Sequence, residues 1–154
     1  MKLSILTAVI LFQSSMALFG QNLECENFKN GYFKILMDES VETSYIIRNE
    51  NMQAESVKGN PSISEFHIEW IDACTYTITP TEKTRSELIG IPENAVLTVY
   101  ILETKENSYI QKTTANFTDY EYISEMIKID ASEYRNHIKE ISKINSDKEE
   151  VDKK

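Results

Sequence analysis

Apolar and polar positions alternate through most of this chain. The alternation is clearest over residues 66–79, where two runs of period two flank a break at residues 71–73. Period two is typical of a strand with one buried face, so this stretch predicts a β-hairpin. A three-residue turn would keep both apolar rows on one face and place Trp70 opposite Cys74. We therefore expect this hairpin at the centre of the core, with Trp70 as a core residue.

Other segments are rich in β-forming residues and are separated by short polar turns. Together with the hairpin they predict an antiparallel meander of about eight strands, folded as a curved sheet or a lipocalin-like barrel. The further strand candidates are residues 32–37, 43–48, 52–58, 87–91, 95–103, 108–115 and 120–129.

The predicted segments differ in their expected exposure to solvent and in how they are connected. The pair 43–48 and 52–58 is expected to form a hairpin more exposed than the central one. Residues 82–86 are expected to be a polar connection that leads into the short strand 87–91. The strongly apolar segment 95–103 carries apolar residues at both parities, so it could be covered on both faces.

The spacing of the apolar residues changes after Asp130 from the period of a strand to that of a helix. Asp130 and Glu133 have the spacing of a capping box, and apolar residues then recur three or four positions apart. We expect a C-terminal helix over residues 131–145 that follows a β domain over residues 21–130. The charged residues 146–154 predict a disordered tail.

The N-terminus has the layout of a secretory signal peptide over residues 1–20. Lys2 precedes an apolar run that ends at Phe12, and cleavage could follow Ala17 or Gly20. The run is too short for a stable membrane span, and no later segment of the sequence approaches the length needed. We therefore expect a secreted or periplasmic protein with no stable membrane insertion after cleavage.

The net charge of the chain is −9, and loss of Lys2 with the signal would make it −10. Such a charge repels phosphate backbones, so nucleic-acid binding is not expected. We expect an acidic monomer.

The chain has two cysteines, Cys25 and Cys74. In an oxidising compartment an even pair is expected to join, and closing a loop of about 50 residues would stabilise the fold by roughly 4 kcal/mol. The spacing lacks the CxxC pattern of a redox-active pair.

Catalytic motifs are not evident in the sequence. His67 and His137 lie in different predicted elements without metal-ligand spacing, so neither a metal site nor a cofactor is expected. An acid pair such as Glu69 and Asp72 could be proposed for glycoside hydrolysis, but acidic β proteins carry such pairs on their surfaces. His67 is expected to be solvated, opposite Thr77.

Tyrosine is unusually frequent, with eight in the chain. On strands a tyrosine can line a ligand cavity, because its ring packs and its hydroxyl forms hydrogen bonds. The alternative is that these rings simply fit the pleated surface of a sheet. The candidates for lining a ligand are Tyr76, Tyr100, Tyr109 and Tyr122.

Three motifs together resemble a known family. They are C-x-x-F-K-x-G-x-F at residues 25–33, I-x-R ending at Arg48, and W-x-x-x-C-x-Y at residues 70–76. The chain resembles small secreted proteins of Bacteroidetes that have no established function, over nearly the whole segment up to about Asp130. Some members carry the label DNA topoisomerase IV, which does not suit an exported acidic domain of this size. The resemblance implies no catalytic residues.

Three functions from different classes fit these observations. The preferred one is a secreted, non-catalytic protein that binds a small apolar ligand in its curved sheet. The alternative is an envelope-associated protein-interaction module. A hydrolase that uses surface carboxylates comes third, so the sequence favours a protein that is not an enzyme.

Overall fold

The computed structural model describes residues 23–36 and 43–151, so the predicted signal peptide 1–20 lies outside the described residues. Eight antiparallel strands follow one another in chain order and close into a barrel, since β1 pairs with both β2 and β8. The predicted lipocalin-like architecture is confirmed, in its closed form. The strands are β1 Gly31–Leu36, β2 Thr43–Arg48, β3 Met52–Val57, β4 Ile63–Trp70, β5 Thr75–Pro80, β6 Leu97–Thr104, β7 Ser108–Ala115 and β8 Thr118–Ile129.

The two ends of the barrel differ. One end, called the disulfide end below, holds the turns 49–51, 71–74 and 105–107 and a short 3-10 helix, Cys25–Phe28. Cys25 is bonded to Cys74 there, with 5.3 Å between their Cα atoms, which confirms the predicted bridge. The opposite end, called the far end below, holds the connections 58–62, 81–96 and 116–117.

A single apolar core fills the barrel from the disulfide end to its middle. Its members recur at alternate positions along each strand, because successive side chains point to opposite faces and one face is the barrel interior. Phe28 of the 3-10 helix closes the core from below. The buried cluster is Cys25, Phe28, Phe33, Ile46, Phe66, Ile68, Tyr76, Ile78, Val99, Ile101, Tyr109 and Met126.

The central hairpin forms with the predicted faces but in a different register. Trp70 lies opposite Tyr76, and Ile68 lies opposite Ile78, so the predicted pairing of Trp70 with Cys74 is wrong by two residues. The turn is longer because the backbone amides of Ile71 and Asp72 both donate to the carbonyl of Thr75. A shift of two residues preserves the side-chain faces, and it frees Cys74 from the strand to reach Cys25.

The connection from β5 to β6 was predicted incorrectly. Glu82–Glu87 forms a helix, α1, and the described structure has no strand over residues 87–91. Thr81 caps this helix, since its side chain accepts a hydrogen bond from the amide of Thr84. The buried Thr84 hydroxyl in turn accepts from the amide of Glu65 on β4, which ties α1 to the barrel.

Two expectations about burial are also wrong. The β2–β3 hairpin is not an exposed one, because Ile46, Arg48 and Gln53 are buried in the barrel interior. Conversely, β6 is covered on one side only. Its outward residues Tyr100 and Leu102 are 38% and 46% exposed, although the ammonium of Lys112 lies 5.4 Å from the centroid of the Tyr100 ring.

The C-terminal helix α2, Ala131–Val151, packs on the outside of the barrel. Asp130 accepts hydrogen bonds from the amides of Ser132 and Glu133, as the capping pattern predicts. The ring of Tyr134 contacts Tyr32 on β1, and His137 stacks on Tyr45 on β2. The helix continues six residues past its predicted end at residue 145, so the first part of the predicted disordered tail is helical. Lys and Glu residues in that segment are good helix formers, which accounts for the extension.

Candidate functional site

A buried arginine lies inside the barrel near the disulfide end. Arg48, the last residue of β2, is 2% exposed. Its Nη1 donates to the carbonyl of Phe28 at 3.2 Å and to the Tyr109 hydroxyl at 2.9 Å. Its Nη2 donates to the Tyr76 hydroxyl at 2.8 Å, and its Nε donates to Gln53 Oε1 at 2.8 Å. The guanidinium therefore donates four hydrogen bonds, to acceptors on three strands and the 3-10 helix.

Aromatic rings surround the same guanidinium. Its central carbon lies 4.6 Å from the ring centroid of Tyr76 and 5.2 Å from that of Phe33. A desolvated cation over an aromatic face gains about 2 kcal/mol from the ring quadrupole. The arginine is thus accommodated by neutral oxygens and π faces, and it forms no ion pair with a described carboxylate.

The hydrogen bonds continue across the barrel in both directions. The Tyr76 hydroxyl donates to Gln111 Oε1 at 3.2 Å, so the Tyr109 hydroxyl, 3.2 Å away, must donate to Tyr76. Gln111 Nε2 donates to Ser124 Oγ on β8. In the other direction, Gln53 Nε2 donates to Glu55 Oε1 at 2.5 Å. This interior polar network therefore joins Arg48 to the following residues on four other strands: Gln53, Glu55, Tyr76, Tyr109, Gln111 and Ser124.

Burial and the network change the acidity of three groups. Burial opposes the charge of Arg48, but the oxygens of Tyr109 and Tyr76 outweigh it and raise the pKa of the guanidinium. Burial raises the pKa of Tyr76 well above 10, although Arg48 opposes this. Burial also raises the pKa of Glu55, against the hydrogen bond from Gln53 and the charge of Arg48. The network therefore keeps one fixed positive charge, that of Arg48, beside a neutral Tyr76 phenol at ordinary pH.

The barrel interior is different towards the far end. Several of the side chains that face inward there are small or polar, and most keep part of their surface accessible, whereas those around Arg48 are buried. Glu55 belongs to this region, between Ile46 on β2 and Ser64 on β4. The inward, half-buried residues of the far end include Ile35, Ser44, Glu55, Val57, Ser64, Leu97, Thr113 and Tyr122.

A cleft of about 430 Å³ opens on the outer surface at the disulfide end. Trp70 forms part of its wall, with its ring 4.6 Å from that of Tyr76 and the Lys29 ammonium 5.0 Å from the ring centroid. The indole is half-buried and packs against the core, and its Nε1 is buried without a hydrogen-bond partner. The cleft is lined by Glu26, Lys29, Asn30, Glu50, Asn51, Ile68, Glu69 and Trp70.

The four tyrosines predicted to line a ligand do not form one set. Tyr76 and Tyr109 are fully buried in the polar network. Tyr122 faces inward near the far end, next to Thr113, and is half-buried. Tyr100 lies on the outer face of β6, opposite Lys112, so it takes no part in the interior.

The sequence prediction overlooked the centre of the network. Arg48 shares the parity of Ile46, so a strand that buries Ile46 must also turn Arg48 inward. A charged residue on the apolar row of a strand is a signal for a buried polar site. Gln53 and Glu55 carry the same signal on β3, where Gln53 faces Phe66 across the β3–β4 pair.

The residues weighed for catalysis are on the surface. His67 is exposed as predicted, although it lies opposite Thr79 rather than Thr77. Glu69 is exposed, and Asp72 accepts a hydrogen bond from the amide of Cys74, which lowers the pKa of Asp72. A general acid needs the opposite shift, so Asp72 is suited to shaping the turn.

Metal ligands do not cluster in the described residues, where no three His, Cys, Asp or Glu side chains converge. Among the same residues, no helix has the length and apolar character needed to cross a membrane.

Comparisons with known proteins gave no assignment: no family model, no curated protein and no solved structure matches the chain. The resemblance to secreted Bacteroidetes proteins stays a prediction.

Proposed function

We propose that this chain is an exported, non-catalytic protein that binds a small, mainly apolar ligand inside the far end of its barrel. The observation that supports this is the contrast within the interior. Buried side chains fill most of the disulfide end, while most of the inward residues at the far end are only half-buried. Barrels of eight strands have an interior just wide enough for one small ligand when side chains do not fill it.

The lining of the far end suggests the chemistry of the ligand. Ile35, Leu97 and the ring of Tyr122 offer apolar contacts. Glu55 offers one polar group beside them, and its raised pKa favours a carboxyl that can donate as well as accept a hydrogen bond. We therefore propose a ligand with an apolar body and one hydrogen-bonding group. The interior polar network would form a rigid floor beneath it.

Export is part of the same proposal. The Cys25–Cys74 bridge fits an oxidising compartment outside the cytoplasm. The predicted signal peptide points the same way.

The test is to fill the far end with one large side chain. Thr113 faces inward and Thr114 faces outward on the same strand, so Thr113→Phe and Thr114→Phe form a matched pair. Binding of the neutral dye Nile red is measured by fluorescence for both variants and the parent chain. We expect the parent and Thr114→Phe to bind the dye and Thr113→Phe to bind it at least about tenfold more weakly, since an inward ring removes apolar contact area. No dye binding by the parent, or equal binding by both variants, would refute the proposal.

A second candidate function is protein interaction, and the outer face of β6, β7 and β8 favours it. Tyr100, Lys112 and Ile123 lie side by side across these strands, and Ile123 is 62% exposed. Two exposed apolar side chains, Tyr100 and Ile123, thus flank Lys112, and exposed apolar groups close together are a feature of interaction surfaces. The variant Ile123→Asp should leave Nile red binding intact if the ligand lies inside the barrel. Loss of dye binding in Ile123→Asp but not in Thr113→Phe would favour the outer face.

A further inference from the structure

The cleft at the disulfide end has the composition of a site for a cation. Its wall carries three carboxylates, Glu26, Glu50 and Glu69, against one cation, Lys29. Glu26 is paired with Lys29, but Glu50 and Glu69 form no ion pair with any described residue. The cleft therefore has an excess of negative charge beside an aromatic ring.

The side chain of Lys29 already shows how an ammonium would be held there. Its Nζ donates to Glu26 Oε1 at 2.6 Å and lies 5.0 Å from the centroid of the Trp70 ring. The Trp70 ring also packs on Tyr76 inside the barrel, which fixes its position. One carboxylate and one indole face thus form a preorganised ammonium subsite, and a residue of the chain itself occupies it.

We propose that this cleft binds a primary alkylammonium, which takes the place of Lys29 at the Trp70 ring. The remaining carboxylates, Glu50 and Glu69, would hold a second positive group of the same ligand or strengthen the attraction for the first. A volume of about 430 Å³ falls within the range of small-molecule sites. The ligand could be a free diamine or a lysine side chain of another protein, because both present the same ammonium.

Displacement of Lys29 costs little. Glu26 is largely exposed, and ion pairs between exposed side chains are weak because water and salt screen them. In this proposal an internal and an external ammonium compete for one position. Removing the internal competitor must therefore strengthen binding of the external one.

Trp70 is the only tryptophan of the chain and reports on this site directly. Cadaverine and an N-acetyl-lysine amide are titrated separately while the emission of Trp70 is followed, with sodium chloride at matched ionic strength as the reference. We expect dissociation constants on the order of 1 mM. Cadaverine should bind more tightly than the lysine amide if a free diamine is the ligand, whereas equal affinities would indicate that a lysine side chain suffices.

Matched variants separate this site from a general attraction to an acidic protein. Lys29→Met should tighten cadaverine binding by about fivefold, and Glu50→Gln with Glu69→Gln should weaken it by at least about fivefold. Lys105→Met removes the same charge from a lysine paired with Glu125 and should leave the affinity unchanged. An emission that responds no more to cadaverine than to sodium chloride would overturn the proposal. So would equal affinities for Lys29→Met and Lys105→Met.

This experiment is independent of the dye experiment, because the cleft and the far end lie at opposite ends of the barrel. Thr113→Phe should bind cadaverine normally. Lys29→Met should bind Nile red normally.

Discussion

The Arg48 guanidinium and the Tyr76 hydroxyl meet inside the barrel, where Nη2 donates to the phenol oxygen over 2.8 Å. Arg48 comes from β2 and Tyr76 from β5, so this hydrogen bond crosses the interior between strands that are not neighbours. It links the centre of the polar network to the wall that carries Trp70, since Tyr76 packs on Trp70 from within.

Replacing Arg48 alone should be strongly destabilising. Arg48→Met would remove the hydrogen bonds that Arg48 donates to the Tyr76 and Tyr109 hydroxyls, Gln53 and the carbonyl of Phe28, all in the buried interior. We expect the free energy of unfolding to fall by at least about 3 kcal/mol in urea denaturation.

Two further variants show whether the lost partners cause this effect. Arg135→Met changes an exposed arginine of α2 and should cost less than about 0.5 kcal/mol. The triple variant Arg48→Met with Tyr76→Phe and Tyr109→Phe should recover part of the stability, because fewer polar groups are left unpaired. An Arg48→Met protein as stable as the parent would contradict this account.

The disulfide should stabilise the barrel by restricting the conformations of the unfolded chain. Changing both Cys25 and Cys74 to serine should lower the free energy of unfolding by about 4 kcal/mol, since the cysteines are 49 residues apart. Urea denaturation measures the difference, and the parent treated with a reducing agent should behave like the variant. Thiol titration of the unfolded, unreduced parent should find no reactive thiol, and two reactive thiols would refute the bridge.

The ring of Trp70 should contribute to stability, because Trp70 lies at the edge of the apolar core. It packs on Tyr76 and on the buried cluster, so Trp70→Ala should cost about 3 kcal/mol in urea denaturation. Trp70→Phe keeps an aromatic ring on Tyr76 and should cost less than half as much. A loss below about 1 kcal/mol for Trp70→Ala would show that the indole does not serve the core.

The attachment of α2 should weaken as the pH falls. His137 is 4% exposed, its Nε2 is 2.8 Å from Ser56 Oγ on β3, and its ring stacks on Tyr45 of β2 at 4.0 Å. Burial lowers the pKa of His137. The charge of Glu140 on the same helix opposes this shift, and the charge of Lys58 adds to it. The ring of Tyr134 also contacts the imidazole. The folded protein therefore disfavours protonation of the His137 imidazole, whereas in the unfolded chain this imidazole binds a proton below about pH 6.5.

Stability should thus be complete above that pH and should be lost as the pH falls through the lowered pKa. Unfolding midpoints in urea between about pH 7.5 and 5.5 measure this loss. His137→Gln should reduce the pH dependence, whereas His67→Gln, at an exposed position on β4, should leave it unchanged. Equal slopes for the parent and His137→Gln would count against the buried histidine as the cause.

Much of the fold could be predicted from local pattern. The alternation along residues 66–79 identified the hairpin and its buried face, and the turn at residues 105–107 located β7 with the correct bounds. Asp130 and Glu133 marked the start of α2. These predictions succeed because strand period, turn chemistry and helix caps depend on neighbouring residues.

The candidate site was less accessible to the same reasoning. Tyr76 and Tyr109 were selected as tyrosines on strands, but a ligand-lining tyrosine and a tyrosine bonded to a buried arginine have the same sequence pattern. Tyr100 was selected on the same ground and lies outside the barrel. The helix α1 was overlooked because Thr81 and Thr84 belong to a polar segment with the composition of a loop. The contact that holds α1 on the barrel, a hydrogen bond from the amide of Glu65 to the Thr84 hydroxyl, is visible only in the structure.

By itself the sequence determined the alternation along most strands, the buried face of the central hairpin, the pairing of the two cysteines and the start of the last helix. The tertiary structure decided that β1 pairs with β8, and hence that the sheet closes. It also decided that Arg48 is buried, because the oxygens that compensate its charge come from β3, β5, β7 and the 3-10 helix. The physical reason is that local pattern sets which way a side chain points, whereas its partners depend on strands that meet only when the barrel closes.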